Sequence, residues 1–132
     1  MTEQYPRASK TERDSCVVTV AEVPTVNLAP GIDTNLVCGK DLTLSFATLA
    51  PHSMGKMHSH PHEQMAVILE GSVDFILSGK TYALKAGDVI HVAGNLEHTG
   101  ITGDVTCKMV EVFTPARKDF EEKLAQAKAA KG

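Results

Sequence analysis

The segment Gly55-Lys56-Met57-His58-Ser59-His60-Pro61-His62-Glu63-Gln64 holds three of the six histidines of this chain, and the architecture can be inferred from it. His58 and His60 are one residue apart. On an extended strand alternate side chains leave the same face, so the two imidazoles stand close enough to be ligands of one ion. An isolated H-x-H also describes a pair of surface histidines, but the residues beyond it sharpen the pattern. Gln64 comes four residues after His60, Gly71 seven residues after Gln64, and His98 follows a Gly87-Asp88 turn and a short apolar run.

On either side of this segment, turn signals recur at short intervals: Pro30-Gly31, Gly39-Lys40-Asp41, Pro51 to Gly55, Glu70-Gly71, Ser78-Gly79-Lys80, Gly87-Asp88, Gly94-Asn95 and Gly103-Asp104. Short strands at this spacing predict an all-β sandwich or barrel. Leu42, Leu44 and Phe46 alternate with Thr43, Ser45 and Ala47, the period-two pattern of a half-buried strand. Met65 to Leu69 and Val73 to Leu77 are apolar on both faces, as expected of strands covered by a second layer or subunit, so a homodimer is expected. Residues 1–15 read as a flexible polar arm and residues 16–114 as the barrel. Residues 115–132 read as a C-terminal helix, with Thr114 as N-cap, Pro115 at the first helical position and a narrow stripe of Phe120, Leu124 and Ala127.

The 132 residues suit one domain. Hydrophobic residues at 42% and charged residues at 22% allow a real interior. A formal charge of -3, with basic residues scattered, lacks the footprint of a nucleic-acid binder. The N-terminus has no signal-like apolar stretch and no run spans a bilayer, so a cytoplasmic protein without a membrane partner is expected. Cys16, Cys38 and Cys107 share no C-x-x-C spacing and are expected to be reduced and largely buried.

The stretch from Gly55 to Gln64, continuing to Glu70-Gly71, resembles the first motif of the cupin superfamily, and Gly87-Asp88 through His98 resembles the second. The resemblance spans roughly residues 36–113. It implies a single jelly-roll β-barrel in which His58, His60, Gln64 and His98 converge on one divalent metal ion. Imidazole-rich sites suit zinc, nickel, copper or iron; nickel, zinc, iron and manganese remain the candidates. Gln64 stands where a glutamate is usual, so three neutral imidazoles and a neutral amide would leave the ion its full double charge and make it a strong Lewis acid. Ala93 and Asn95 replace the usual proline and glycine, which predicts a looser or differently turned loop before His98. His62 reads as a loop residue beside the site, Glu63 as an acceptor for a metal-bound histidine and His52 as an exposed loop residue, while His91 takes either face.

The last strand, Val105 to Phe113, puts Cys107, Met109, Glu111 and Phe113 on one face. A carboxylate in such company is a candidate proton carrier if that face points inward. The sequence from Glu111 through Phe113 and Arg117 to Phe120 resembles the end of a subgroup of small cupins of pectin and alginate breakdown, which convert unsaturated monouronates into linear keto sugars. That resemblance implies Glu111 as acid or base in place of an aspartate, Phe113 flanking a sugar ring, and Arg117 as a catalytic and substrate-binding partner of the uronate carboxylate. A metal-assisted isomerase or lyase acting on a small acidic, sugar-like molecule is therefore expected, with a metal-dependent dioxygenase or a non-catalytic small-molecule binder as alternatives. On this basis Glu111→Gln should keep the metal and lose turnover.

Overall fold

In the computed structural model, which describes residues 4–131, nine antiparallel strands lie between residues 26 and 114. They are β1 (Val26–Ala29), β2 (Ile32–Cys38), β3 (Thr43–Leu49), β4 (Glu63–Glu70), β5 (Ser72–Leu77), β6 (Lys80–Lys85), β7 (Val89–Val92), β8 (His98–Ile101) and β9 (Cys107–Thr114). One sheet has the order β1-β2-β3-β9-β4-β7 and the other β6-β5-β8. The all-β jelly-roll expectation therefore holds. Two turns show why the sequence allows it. Ser78 and Gly79 both take positive φ, 48° and 79°, and close the β5–β6 hairpin. Gly71, at φ 74°, passes so close to the Thr106 carbonyl that a Cβ in its place would overlap the oxygen.

Between the sheets lie Ile32, Leu49, Ala66, Ile68, Phe75, Val92 and Met109, with their neighbours. β3 has the expected period, but its small polar face is the buried one. Thr43, Ser45 and Ala47 are covered, whereas Leu42 is exposed and Leu44 and Phe46 are only partly covered. Thr34 and Ser45 share a buried hydroxyl hydrogen bond of 2.6 Å, which offsets the cost of placing them inside. The apolar side chains of β3 instead join an outer stripe. Register aligns Phe46, Val110, Val67 and Val89 in one row, and Leu44, Val112 and Met65 in the next. Met65 and Val89 are 46% and 57% exposed, so this face is apolar yet open.

The termini depart from expectation. Lys10–Asp14 form a short helix, α1, held by a capping box between Ser9 and Glu12, where composition predicts a flexible arm; residues 1–3 of that arm lie outside the described residues. The second helix, α2, spans Lys118–Lys131 rather than starting at Pro115. Thr114 is still paired with Glu63 in the β4–β9 ladder, so it cannot cap a helix, and residues 115–117 turn the chain. The apolar stripe of the helix does face the barrel: Phe120 and Leu124 are buried with Val26, Leu36 and Phe113, and Ala127 packs against them. Burial of the two large side chains contributes about 1.5–3 kcal/mol each. Cys107 is buried and Cys38 half-buried, but Cys16 is exposed, because it follows α1 outside the barrel. Among the described residues no helix is long and apolar enough to cross a membrane.

Candidate metal centre

Three histidines from two segments of the chain meet at one end of the barrel. His58, in the connection before β4, bridges to His98 at the start of β8, and each backbone N–H donates to the other's carbonyl at 3.1 and 2.9 Å. His60 is fixed from the opposite side, where its carbonyl accepts from Asn95 N at 2.7 Å. Asn95 takes φ 67°, a conformation asparagine tolerates, and a Cβ on Gly94 would lie 2.5 Å from the Pro61 carbonyl oxygen. The loop before His98 is thus packed against the H-x-H segment, not looser as its missing glycine and proline suggest.

Each ring is oriented through Nδ1. The acceptors are the carbonyls of Lys56 for His58 (2.7 Å), His62 for His60 (3.2 Å) and Leu96 for His98 (2.8 Å). A carbonyl only accepts, so the Nδ1 of His58 and of His98 carries the proton and the Nε2 of each presents a lone pair, whereas His60 has an accepting oxygen at both nitrogens, the second being Gln64 Oε1, and offers an Nε2 lone pair in its Nδ1–H tautomer. The ligand atoms of the three rings lie within 4.8 Å of one another. His98 Nε2 is buried and has no hydrogen-bond partner. Gln64 Oε1, on β4, lies 3.1 Å from His60 Nε2. With the His60 proton on Nδ1, that spacing matches neighbouring ligands of one ion, which at about 2.1 Å from the metal stand about 3.0–3.4 Å apart at octahedral to tetrahedral angles. The donor set therefore fits a divalent ion. Burial lowers the pKa of His60 and pushes that of His98 down to about 4, which keeps both rings neutral, as ligands must be.

Gln64 is not alone on the inner face. Its Nε2 donates to Glu111 Oε2 at 2.7 Å. Glu111 lies across from Ser45 on β3 and Ala66 on β4, small neighbours that leave room for its longer side chain. Burial raises the Glu111 pKa, while the Arg117 guanidinium and hydrogen bonds from Ser45 and Gln64 pull it back.

The sequence of residues 45–113 matches the family model described as a cupin domain. The chain is a cupin. The Dickeya dadantii (strain 3937) pectin degradation protein KdgF is 28% identical over 101 residues, covering 75% of this cupin and 92% of that protein. Among solved structures, an RmlC-like cupin from Shewanella frigidimarina NCIMB 400 superposes with a TM-score of 0.74 at 21% identity, covering 80% of this chain and 95% of that one. KdgF from Halomonas sp. gives 0.72 at 21% identity, covering 77% and 94%.

The candidate metal centre of this cupin opens into a cavity of about 250 Å³, lined by His58, His98 and Glu111 over an apolar floor that includes Leu49, Phe75 and Met109. Arg117 lies at its side. Its Nη2 and Nε donate to Asp119 at 2.6 and 3.2 Å, its backbone N–H donates to Thr43 Oγ1 at 2.9 Å, and its guanidinium stacks 3.7 Å above the Phe120 ring and 4.8 Å from that of Phe113. Phe113 is 1% exposed, with its ring edge-on to His60 and the guanidinium over its face. Phe113 also lines the cavity, between His60 and Arg117, where the resemblance puts a ring beside the substrate.

The other histidines lie apart from this centre or only border it. His62 is a loop residue beside His60, as expected, and contributes its carbonyl. Glu63 does not steady a ligand histidine: it leaves the strand on the outer face and accepts from His91 at 2.5 Å. His52 is exposed and pairs with Asp104 at 3.0 Å. The groups that sequence reasoning misses are Thr43, Ser45 and Asp119, together with Lys56 and Lys123 on the cavity lining. The alternating polar positions of β3 are the signal for the first two.

Proposed function

We propose that this cupin is a metal-dependent isomerase or lyase-type enzyme acting on a small acidic, sugar-like molecule such as an unsaturated uronate. One observation carries this: a single cavity brings together two histidines with free Nε2 lone pairs, a half-buried carboxyl with a raised pKa and an ordered guanidinium. The likeness to proteins whose names tie them to pectin degradation supports the same substrate class.

His58, His60, His98 and Gln64 would hold the ion. A bound dication, of nickel, zinc, iron or manganese, would supply Lewis-acid polarisation of a hydroxyl or carbonyl oxygen. Arg117 would bind the substrate carboxylate through the donor positions that Asp119 leaves free. Glu111 would take the proton from a ring hydroxyl and return one to carbon, a transfer that leaves the composition of an isomerised sugar unchanged. The apolar floor would exclude water from that step.

The test is to incubate metal-loaded protein with unsaturated monouronates and follow the ultraviolet absorbance of the alkene. Loss of absorbance with no oxygen uptake is the expected result. Oxygen consumption would turn the assignment to a dioxygenase, and saturable binding without product would turn it to a sensor or carrier.

A second copy of the chain is proposed to cover the outer rows formed by Phe46, Val110 and Val67 and by Leu44, Val112 and Met65, making a homodimer.

A further inference from the structure

The amide of Gln64 has two faces and two neighbours, and the neighbours are chemically alike. On one side is the lone pair of His60 Nε2, 3.1 Å from Oε1; on the other is Glu111 Oε2, 2.7 Å from Nε2. In the Nδ1–H tautomer of His60, the one in which Nε2 can hold a metal, both are acceptors, so the NH2 group satisfies only one of them. Turned toward His60 it would make a good hydrogen bond in the metal-free protein, but it would then aim hydrogens, not a lone pair, at the ion. Turned toward Glu111 it leaves Oε1 free to ligate. The second orientation is the one the side chain adopts, with Nε2 2.7 Å from Glu111 Oε2 and Oε1 3.1 Å from His60 Nε2.

We infer that Glu111 is a positioning residue for the metal: it holds the Gln64 amide in the one orientation that can ligate. This rests on Gln64 being the fourth ligand. Packing makes the hold specific. Gln64 is 1% exposed and faces Phe113 across the ladder, so no water competes for its amide. Ser45 and Ala66, opposite Glu111 on either side, leave room for the carboxylate, and Ser45 also hydrogen-bonds it. The negative charge that a glutamate ligand would bring to the ion sits instead one amide farther out. The metal centre and the proposed proton carrier are therefore one unit.

The inference separates from a general structural or charge effect because an amide has a wrong way round and a carboxylate does not. Calorimetric titration with Ni2+ or Zn2+ would be made on the wild type and on His98→Ala, Glu111→Leu, Gln64→Glu and the Gln64→Glu/Glu111→Leu double variant. Melting of each metal-free protein checks that it folds, with Glu111→Met replacing the leucine variant if that one does not. Glu111→Leu is expected to weaken binding by about 10–100-fold, the usual effect of losing a residue that orients a ligand. In the Gln64→Glu background, the same substitution should cost nothing or improve binding. Equal losses in both backgrounds, or no loss in the wild-type background, would overturn the positioning role while leaving the metal centre intact. Wild-type protein binding no more tightly than His98→Ala would overturn both.

Discussion

His58 and His98 exchange both of their backbone hydrogen bonds, so two candidate ligands 40 residues apart in the chain are fixed as a single bridged pair. The sites of the pair are preformed, and metal binding should therefore appear as stabilisation of a folded protein. At free metal a hundredfold above Kd the gain is about 2.7 kcal/mol, which for a chain of this size raises Tm by several degrees. Calorimetric scans of the wild type should show this rise. His98→Ala should show none, and should copurify with little metal by elemental analysis.

The pH dependence of the metal-free protein follows from the same ring. Burial pushes the His98 pKa from 6.5 to about 4. Between those values the unfolded chain binds the proton and the folded one does not, so stability is intact above about 6.5 and falls as the pH drops toward 4. Glu111 works in the opposite sense: its raised pKa means that stability is lost as the pH rises through the folded value. Between pH 7.5 and 4.5 the His98 contribution lowers the urea midpoint, and His98→Asn should remove that part of the slope. An unchanged slope in that variant would show that His98 is not the group responsible.

Arg117 is held by geometry that lysine cannot reproduce, a fork on Asp119 and a flat face over Phe120. Arg117→Lys keeps the charge and loses both. With a uronate substrate, KM should rise about tenfold or more with a smaller change in kcat, the pattern of lost ground-state binding. The metal content should not change.

The open apolar stripe across β3, β9, β4 and β7 predicts the site of self-association. Met65→Glu places a carboxylate on a side chain that is 46% exposed. It should leave the fold within about 0.5 kcal/mol of wild type and convert dimer to monomer in sedimentation velocity. A wild type that sediments as a monomer at micromolar concentration would end the dimer proposal.

Much of this molecule is legible from local pattern. Glycine-marked turns and period-two runs specify strands because φ freedom and side-chain alternation are properties of a few adjacent residues. The shared face of Cys107, Met109, Glu111 and Phe113 on β9, the stripe on α2 and the H-x-H pair are readable for that reason. The loop before His98 is not, because Asn95 can adopt the φ of 67° that a glycine usually supplies, and because it is then fastened to His60, a partner far away in sequence.

The order of residues along the chain is enough to specify a β-barrel, and to space three histidines and a glutamine so that they can serve one ion. It does not say which face of β3 turns inward, that Glu63 belongs to His91, or that Gln64 is gripped by Glu111; those relationships exist only in the folded barrel. The division is physical. Periodicity is written along a strand, whereas the choice of face and of hydrogen-bond partner depends on what the neighbouring strand brings opposite each residue once the sheets close.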